Sequence, residues 1–342
     1  MSTTTQNTAP QGKLAPKDFK TDQEVRWCPG CGDYAILNAF QKAMSNLGKT
    51  RENTVIVSGI GCSSRFPYYM ETYGFHSIHG RATAVATGVK LANPNLDVWV
   101  VTGDGDALSI GGNHLIHLLR RHVNIKVLMF NNRIYGLTKG QYSPTSLQGA
   151  VTKSTPMGST DSPFNPISVA LGSNASFVAR SIDVMGEHLI GVIERASAHR
   201  GSAYVEIFQN CNIFNDGAWI HVTEREVRSD KLVDLRHGQK LVFGANKDKG
   251  IVLDGFTPKV VNIADVGLDS ILTWDEKANP ALPFIMSSMN EFEMPVPIGV
   301  FRNADVQTYE DAVHKQIAQA RAQKGEGSLE KLVYSGELWD VT

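Results

Sequence analysis

Four short apolar runs, each followed at once by glycine or polar residues, constrain the fold of this 342-residue chain more than anything else in it. Thr54-Val55-Ile56-Val57 leads into Ser58-Gly59-Ile60-Gly61-Cys62. Val98-Trp99-Val100-Val101 leads into Thr102-Gly103-Asp104-Gly105-Asp106. Ile125-Lys126-Val127-Leu128-Met129-Phe130 leads into Asn131-Asn132-Arg133-Ile134-Tyr135-Gly136, and Ala203-Tyr204-Val205-Glu206-Ile207-Phe208 into Gln209-Asn210-Cys211. Between the runs lie helical patterns: Ile36, Leu37, Phe40, Ala43, Met44 and Leu47 share one face, and Arg81 to Asn93 and Met185 to Ala198 have the same period. Such alternation predicts βαβ units, that is, an α/β fold with a mostly parallel sheet and helices on both faces. Ligands of an open parallel sheet bind at the carboxyl ends of its strands, so the four turns are expected to share one rim.

The rest of the chain divides around this unit. Residues 1–24 are rich in Thr, Gln and Lys and read as an N-terminal arm; residues 25–225 carry the strand–helix alternation. Residues 226–342 read as a less regular C-terminal extension with several Pro and Gly, ending in a helical stretch near Thr308 to Gln323. Hydrophobic residues make up 42% and charged residues 20%, the balance of a soluble globular protein. A net charge of -1 gives no field for nucleic acid or an anionic membrane. With no apolar leader, no long apolar run and only four cysteines, the expectation is a cytoplasmic chain without disulfides or a membrane span.

Those cysteines carry chemistry. Cys28 and Cys31 form Cys28-Pro29-Gly30-Cys31; Cys62 lies in Gly61-Cys62-Ser63 and Cys211 in Asn210-Cys211-Asn212. Four thiolates suit one iron–sulfur cluster or one structural zinc. Cys62 tips the reading toward the cluster, because its surroundings are those of a cofactor loop. Gly103-Asp104-Gly105 followed by Asn131-Asn132 has a second chemical reading, a Mg²⁺–diphosphate site. Asp104 would give a carboxylate oxygen, Asn132 an amide oxygen and Ile134 a backbone carbonyl, with phosphate and water completing an octahedron. The glycines would admit the diphosphate, and the next helix N-terminus would favour its charge.

These residues resemble a family. Gly103-Asp104-Gly105 with Asn131-Asn132 is similar to the thiamine diphosphate motif. Trp27-Cys28-Pro29-Gly30-Cys31-Gly32, Gly59-Ile60-Gly61-Cys62-Ser63, His79-Gly80-Arg81-Ala82 and Gly136-Leu137-Thr138-Lys139-Gly140-Gln141 narrow it. Together they resemble the beta subunit of 2-oxoacid:ferredoxin oxidoreductases, most closely the 2-oxoglutarate branch, across roughly residues 16–340. The resemblance implies a thiamine diphosphate fold with one [4Fe–4S] cluster on Cys28, Cys31, Cys62 and Cys211, and Mg²⁺ on Asp104, Asn132 and Ile134. Thiamine diphosphate would lie against Ile60, Gly61, Cys62, Ser63, His79, Gly105, Asp106, Gly136 and Leu137. The implied reaction is CoA-dependent oxidative decarboxylation of 2-oxoglutarate to succinyl-CoA and CO₂ with reduction of ferredoxin, or its reverse. The same chemistry on pyruvate or another 2-oxoacid is the nearest alternative.

The implied assembly is heteromeric. One diphosphate-binding unit is present, so a separate alpha subunit would supply the aminopyrimidine-binding half, in an oligomer such as (αβ)₂. Arg65, three residues past Cys62, could pair with the distal carboxylate of 2-oxoglutarate or serve an ordinary ion pair. His79 reads as a cofactor contact and Lys139 as a solvated lysine. His114, His117 and His122 have no metal-binding spacing and read as ordinary helix residues. Of the other classes, a structural Cys₄ zinc protein without redox chemistry is separated by the iron absorbance of anaerobically purified protein. A non-redox thiamine enzyme leaves the cysteines idle, and a Cys28–Cys31 dithiol oxidoreductase leaves Cys62, Cys211 and the Mg²⁺ motif unexplained.

Overall fold

The computed structural model describes residues 13–341. Its main sheet has eight strands: β1 (Thr54–Ser58), β2 (Tyr73–His76), β3 (Asp97–Gly103), β4 (Ile125–Asn131), β5 (Phe177–Ile182), β6 (Ala203–Phe208), β7 (Leu232–Leu235) and, after a small separate sheet, β11 (Val296–Asn303). The small sheet holds β8 (Val242–Phe243), β9 (Lys249–Asp254) and β10 (Thr257–Asn262), all antiparallel. Spatial order in the main sheet is β2-β1-β3-β4-β6-β5-β11-β7. The first six are mutually parallel, whereas β11 runs antiparallel to β5 and carries β7 parallel to itself. The four strands expected from the sequence are therefore contiguous, β1-β3-β4-β6, and their turns leave from one edge.

Period-two alternation splits the apolar residues of each strand between the faces. Val55, Val57, Val98, Val100, Ile125 and Val127 join one core; Ile56, Trp99, Val101, Leu128 and Phe130 join the other. Helices cover both cores, as a buried parallel sheet requires. On the second face α1 (Asp33–Asn46) lies against a helix later in the chain, Gly186–Ala198. The first face is covered by α2 (Ala82–Ala92), by α4 (Gly112–Arg120) beyond the short α3 (Asp104–Leu108), and by α5 (Pro166–Gly172). The period predicted α1, α2 and the helix Gly186–Ala198, the last two within one residue of the expected ends; α4 was expected only as the helical surroundings of His114 and His117, and α3 and α5 were not expected.

Two expectations about chain organisation change. Of the expected N-terminal arm, residues 1–12 lie outside the described residues, but 13–24 are packed onto the domain. Phe19 is fully buried, its carbonyl accepts from the Glu71 amide at 2.8 Å, and Lys20 pairs with Met70. Polar composition concealed a single deep apolar anchor. The boundary at 225/226 cuts through one sheet, because β7 and β11 extend it beyond β5. The antiparallel sense of β11 has a further effect. It places the start of that strand, and the turn just before it, at the same edge as the ends of β5 and β6. Among the described residues no helix is long and apolar enough to cross a membrane.

Candidate active site

A cavity of about 710 Å³ opens where the carboxyl ends of β1, β3 and β4 meet. This is the position the chain order selects: from β1 the chain goes to β2 on one side, then returns to β3 on the other. The turn after β1 gives the wall Ile60, Gly61, Cys62 and Ser63; that after β3 gives Asp104, Gly105 and Asp106; that after β4 gives Asn132, Ile134, Gly136 and Leu137. His79 completes it. The structure thus brings every residue expected to contact thiamine diphosphate or Mg²⁺ into one wall.

Asp106 organises that wall. Its Oδ1 accepts from the Ile60 amide at 3.1 Å, the Gly80 amide at 2.7 Å and His79 Nδ1 at 2.7 Å, while Oδ2 accepts from Thr102 Oγ1 at 2.6 Å. Although Asp106 borders the cavity, its carboxylate is committed to protein donors, so it clamps three turns together. Fixing His79 Nδ1 also orients that ring and leaves Nε2 for a ligand. Gly59 is required by the same clamp, since a Cβ there would stand 2.0 Å from Asp106 Oδ2. Gly61, at φ +146°, meets nothing within 4 Å and keeps the cavity floor open.

Asp104 is 2% exposed, and Ser143 Oγ and Thr145 Oγ1 both donate to its Oδ2, at 2.5 and 2.6 Å. Its Oδ1 takes no side-chain donor. Burial pushes this carboxyl above its usual range, against the pull of the two hydroxyls. A buried carboxylate suits a divalent cation, which would relieve the burial cost. Asn132 Oδ1 accepts from the Ile134 amide at 3.1 Å, so a short turn holds Asn132 and Ile134 together. An amide oxygen has a second lone pair for a metal. These residues fit the expected Mg²⁺. Sequence reasoning missed Ser143 and Thr145, whose loop returns to Asp104 only in the fold.

The cysteines converge beside the cavity. The Gly32 amide donates to the Asn210 carbonyl at 3.1 Å and Asn212 Nδ2 to the Pro29 carbonyl at 2.7 Å, stitching the Cys28–Cys31 turn to the segment around Cys211. Cys62 and Cys211 lie to one side of Gly136, their Sγ atoms 3.6 and 3.5 Å from where a Cβ would start. Burial, then the Asp33 carboxylate, pushes the Cys62 thiol up to about 12; burial and Asp33 also push up the Cys31 thiol. Each of the two is raised further by Cys211, so without positive charge these groups stay neutral. Gln209 Nε2, also missed from the sequence, donates to Cys31 Sγ at 3.2 Å. Among the described residues, no three His, Cys, Asp or Glu side chains are placed to hold one metal ion. A four-iron cluster takes one thiolate on each iron, so it needs a wider set of ligands than a single zinc does.

Arg65 departs from expectation. It lies on the 3-10 helix Ser63–Tyr69, yet it does not line the cavity. Its Nε donates to the Tyr69 hydroxyl at 2.9 Å, and the guanidinium lies 5.8 and 6.0 Å from the Tyr68 and Tyr69 ring centres. The aromatic pair, invisible as a partner in the sequence, holds it away from the ligand side. Lys139 is exposed and borders a second cavity, of about 790 Å³, that adjoins the first across Ile134.

Comparison with known proteins agrees with this geometry. Residues 59–207 match the C-terminal TPP-binding domain of thiamine pyrophosphate enzymes. The chain is 54% identical to the 2-oxoglutarate oxidoreductase subunit KorB of Mycobacterium tuberculosis, over 95% of this chain and 88% of that one. It is 37% identical to the beta subunit of 2-oxoacid:ferredoxin oxidoreductase 2 of Aeropyrum pernix, over 87% of this chain and 86% of the other. Among solved structures it is similar to 2-oxoglutarate:ferredoxin oxidoreductase from Magnetococcus marinus with 2-oxoglutarate, coenzyme A and succinyl-CoA bound. There the TM-score is 0.75 and the identity 30%, over 96% of this chain and 98% of the other.

Proposed function

This chain belongs to the beta subunits of the 2-oxoacid:ferredoxin oxidoreductases, and we propose that it serves CoA-dependent oxidative decarboxylation of 2-oxoglutarate with ferredoxin as acceptor. Thiamine diphosphate supplies the electron sink for cleavage next to the carbonyl. The residues of this chain hold, orient and connect. Asp104, Asn132 and the Ile134 carbonyl are the proposed Mg²⁺ ligands. Asp106 keeps Ile60, His79 and Gly80 in register around the diphosphate position, and Gly61 leaves room for it. Cys28, Cys31, Cys62 and Cys211 are the proposed ligands of one [4Fe–4S] cluster.

One observation carries the reading: Cys62 belongs to both constellations. It lines the cofactor cavity, and its Sγ lies beside that of Cys211, another of the four proposed cluster ligands. With both groups bound, one loop of this chain would connect them. The alpha subunit is proposed to close the cavity, in an (αβ)₂ oligomer in the cytoplasm. The choice of 2-oxoglutarate over pyruvate draws on the closely related KorB subunit and the substrate-bound relative. The test is co-expression with the cognate alpha subunit and assay with CoA, a low-potential acceptor and both 2-oxoacids. A kcat/KM for pyruvate equal to or above that for 2-oxoglutarate would overturn the substrate assignment.

A further inference from the structure

Between Asn132 and Gly136, Arg133 alone does not line the cofactor cavity. It follows Asn132, precedes Ile134 and has φ +57°, a left-handed conformation in which side chains are uncommon. That conformation reverses the chain between the two proposed Mg²⁺ ligands. The Arg133 carbonyl is fixed by Ser146 Oγ at 2.6 Å, and Asn215 Nδ2 holds the Asn132 carbonyl at 2.9 Å.

The guanidinium is held from the opposite side. Its centre lies 3.7 Å from the Trp219 ring, which itself stacks on Phe208 at 3.6 Å and donates from Nε1 to the Asn131 carbonyl at 2.8 Å. Its Nη2 meets Glu291 Oε1 at 2.5 Å. Nε and Nη1 are buried without partners, so Glu291 and the Trp219 face alone compensate a cation whose side chain is 10% exposed. Glu291 lies in the turn just before β11. It reaches the rim because that strand runs antiparallel to β5.

We propose that Arg133 and Glu291 are positioning residues for the metal: the ion pair across Trp219 holds the left-handed turn that sets Asn132 Oδ1 and the Ile134 carbonyl toward one ion. This gives the C-terminal region a task at the active site, beyond extending the sheet. The inference rests on the proposed Mg²⁺ ligands. Loss of Glu291 leaves the Arg133 guanidinium with the Trp219 face alone, whereas loss of Arg133 leaves Glu291, 20% exposed, with only His221 Nε2 at 4.0 Å; the cheapest relief is for the turn to open.

The experiment is calorimetric titration of Mg²⁺ into the chelator-stripped alpha–beta complex with thiamine diphosphate in excess. Glu291→Gln and Arg133→Gln should each weaken Mg²⁺ about 10- to 100-fold, the range for groups that orient metal ligands. The double variant should be no worse than the poorer single, since one interaction is lost in all three. Assembly and visible cluster absorbance should stay at wild-type levels, separating loss of position from loss of fold. Where Glu291→Gln does not assemble, Glu291→Asp keeps the charge at shorter reach and should give an intermediate loss. Unchanged Mg²⁺ affinity in the single variants, or losses that add in the double, overturns the anchor. Asp104→Ala is the control: if it too leaves Mg²⁺ binding untouched, the metal assignment fails; if it alone abolishes binding, only the anchor fails.

Discussion

The rim formed by β1, β3, β4 and β6 differs from the region after residue 226 in how its residues find their partners. In the rim each functional group sits within a few residues of the strand that carries it, so position in the fold follows from position in the sequence. In the C-terminal region partners are distant: Glu291 meets Arg133, Asn303 meets His199, and Glu276 meets Arg195. Chemistry has been placed where strand ends deliver it. Support has been placed where only the completed topology can. Removing rim residues should therefore abolish function with the fold intact, whereas removing support should shift stability or affinity by degrees.

The largest effect is expected at Cys62. In Cys62→Ser a hydroxyl replaces a thiolate, so the proposed cluster should be lost or unstable and electron transfer to ferredoxin abolished. Iron content, visible absorbance and ferredoxin reduction check this together. Full colour with full ferredoxin reduction would remove Cys62 from the ligand set and break its double role.

Next comes Asp104→Ala. Removing the only carboxylate among the proposed Mg²⁺ ligands should weaken Mg²⁺-dependent thiamine diphosphate binding by more than about 100-fold, beyond the range typical of residues that only orient a ligand. Thr145→Val, which removes one hydroxyl from Asp104 Oδ2, should cost about tenfold. Cluster absorbance should not change in either. Equal losses in the two would mean that the hydroxyls, not the carboxylate, dominate the site.

The support region predicts a pH dependence. His199 is 8% exposed; its Nε2 bonds Ser176 Oγ at 2.8 Å and its Nδ1 meets Asn303 Oδ1, at the end of β11, at 3.0 Å. Burial, then the nearby Lys126, pushes its pKa down from 6.5 to about 4. A lowered folded value means that the unfolded chain binds the extra proton first. The stability contribution is complete above pH 6.5 and is lost as pH falls toward 4, up to roughly 3 kcal/mol for such a shift. Denaturant unfolding of the purified chain at pH 7 and pH 4.5 should show this slope, and His199→Gln should flatten it. An unchanged slope in the variant would place the acid sensitivity elsewhere.

The same contrast explains what was legible in the sequence. β1, β3, β4, β6 and the helices α1, α2 and Gly186–Ala198 follow from local apolar period, and the cavity residues follow from the turns. Less was visible where meaning depends on distance. β5 (Phe177–Ile182) contains Arg180, which reads against a buried strand until Glu206 Oε2 appears 2.7 Å from its Nε. β11 includes Pro297 and Gly299, both poor strand signals. The hairpin of β9 and β10 did carry a local signal, Asp254-Gly255 between β-branched residues. Polar residues 13–24 read as an arm, because one Phe19 is too little pattern to announce a buried anchor. Ser143 and Thr145 carried no signal, since a hydroxyl acquires its role only when its loop folds back on Asp104.

Arg65 tests where rim ends and support begins, and its expected effect is the smallest. By sequence it belongs to the rim, three residues beyond Cys62. By structure it belongs to support, its guanidinium committed to Tyr68 and Tyr69 while Tyr69 also receives the Arg26 amide at 2.8 Å. If support is right, Arg65→Ile in the assembled complex should lower kcat/KM for 2-oxoglutarate and pyruvate alike, by less than about tenfold, the loss of roughly one hydrogen bond. A distal-carboxylate contact predicts otherwise. The buried charge-assisted pair would be worth roughly 1.5–3 kcal/mol, so 2-oxoglutarate alone should fall about 10- to 150-fold. Pyruvate, with no second carboxylate, should be spared. A selective loss of that size would mean that the alpha subunit turns Arg65 into the cavity on assembly, and would move the residue back to the rim.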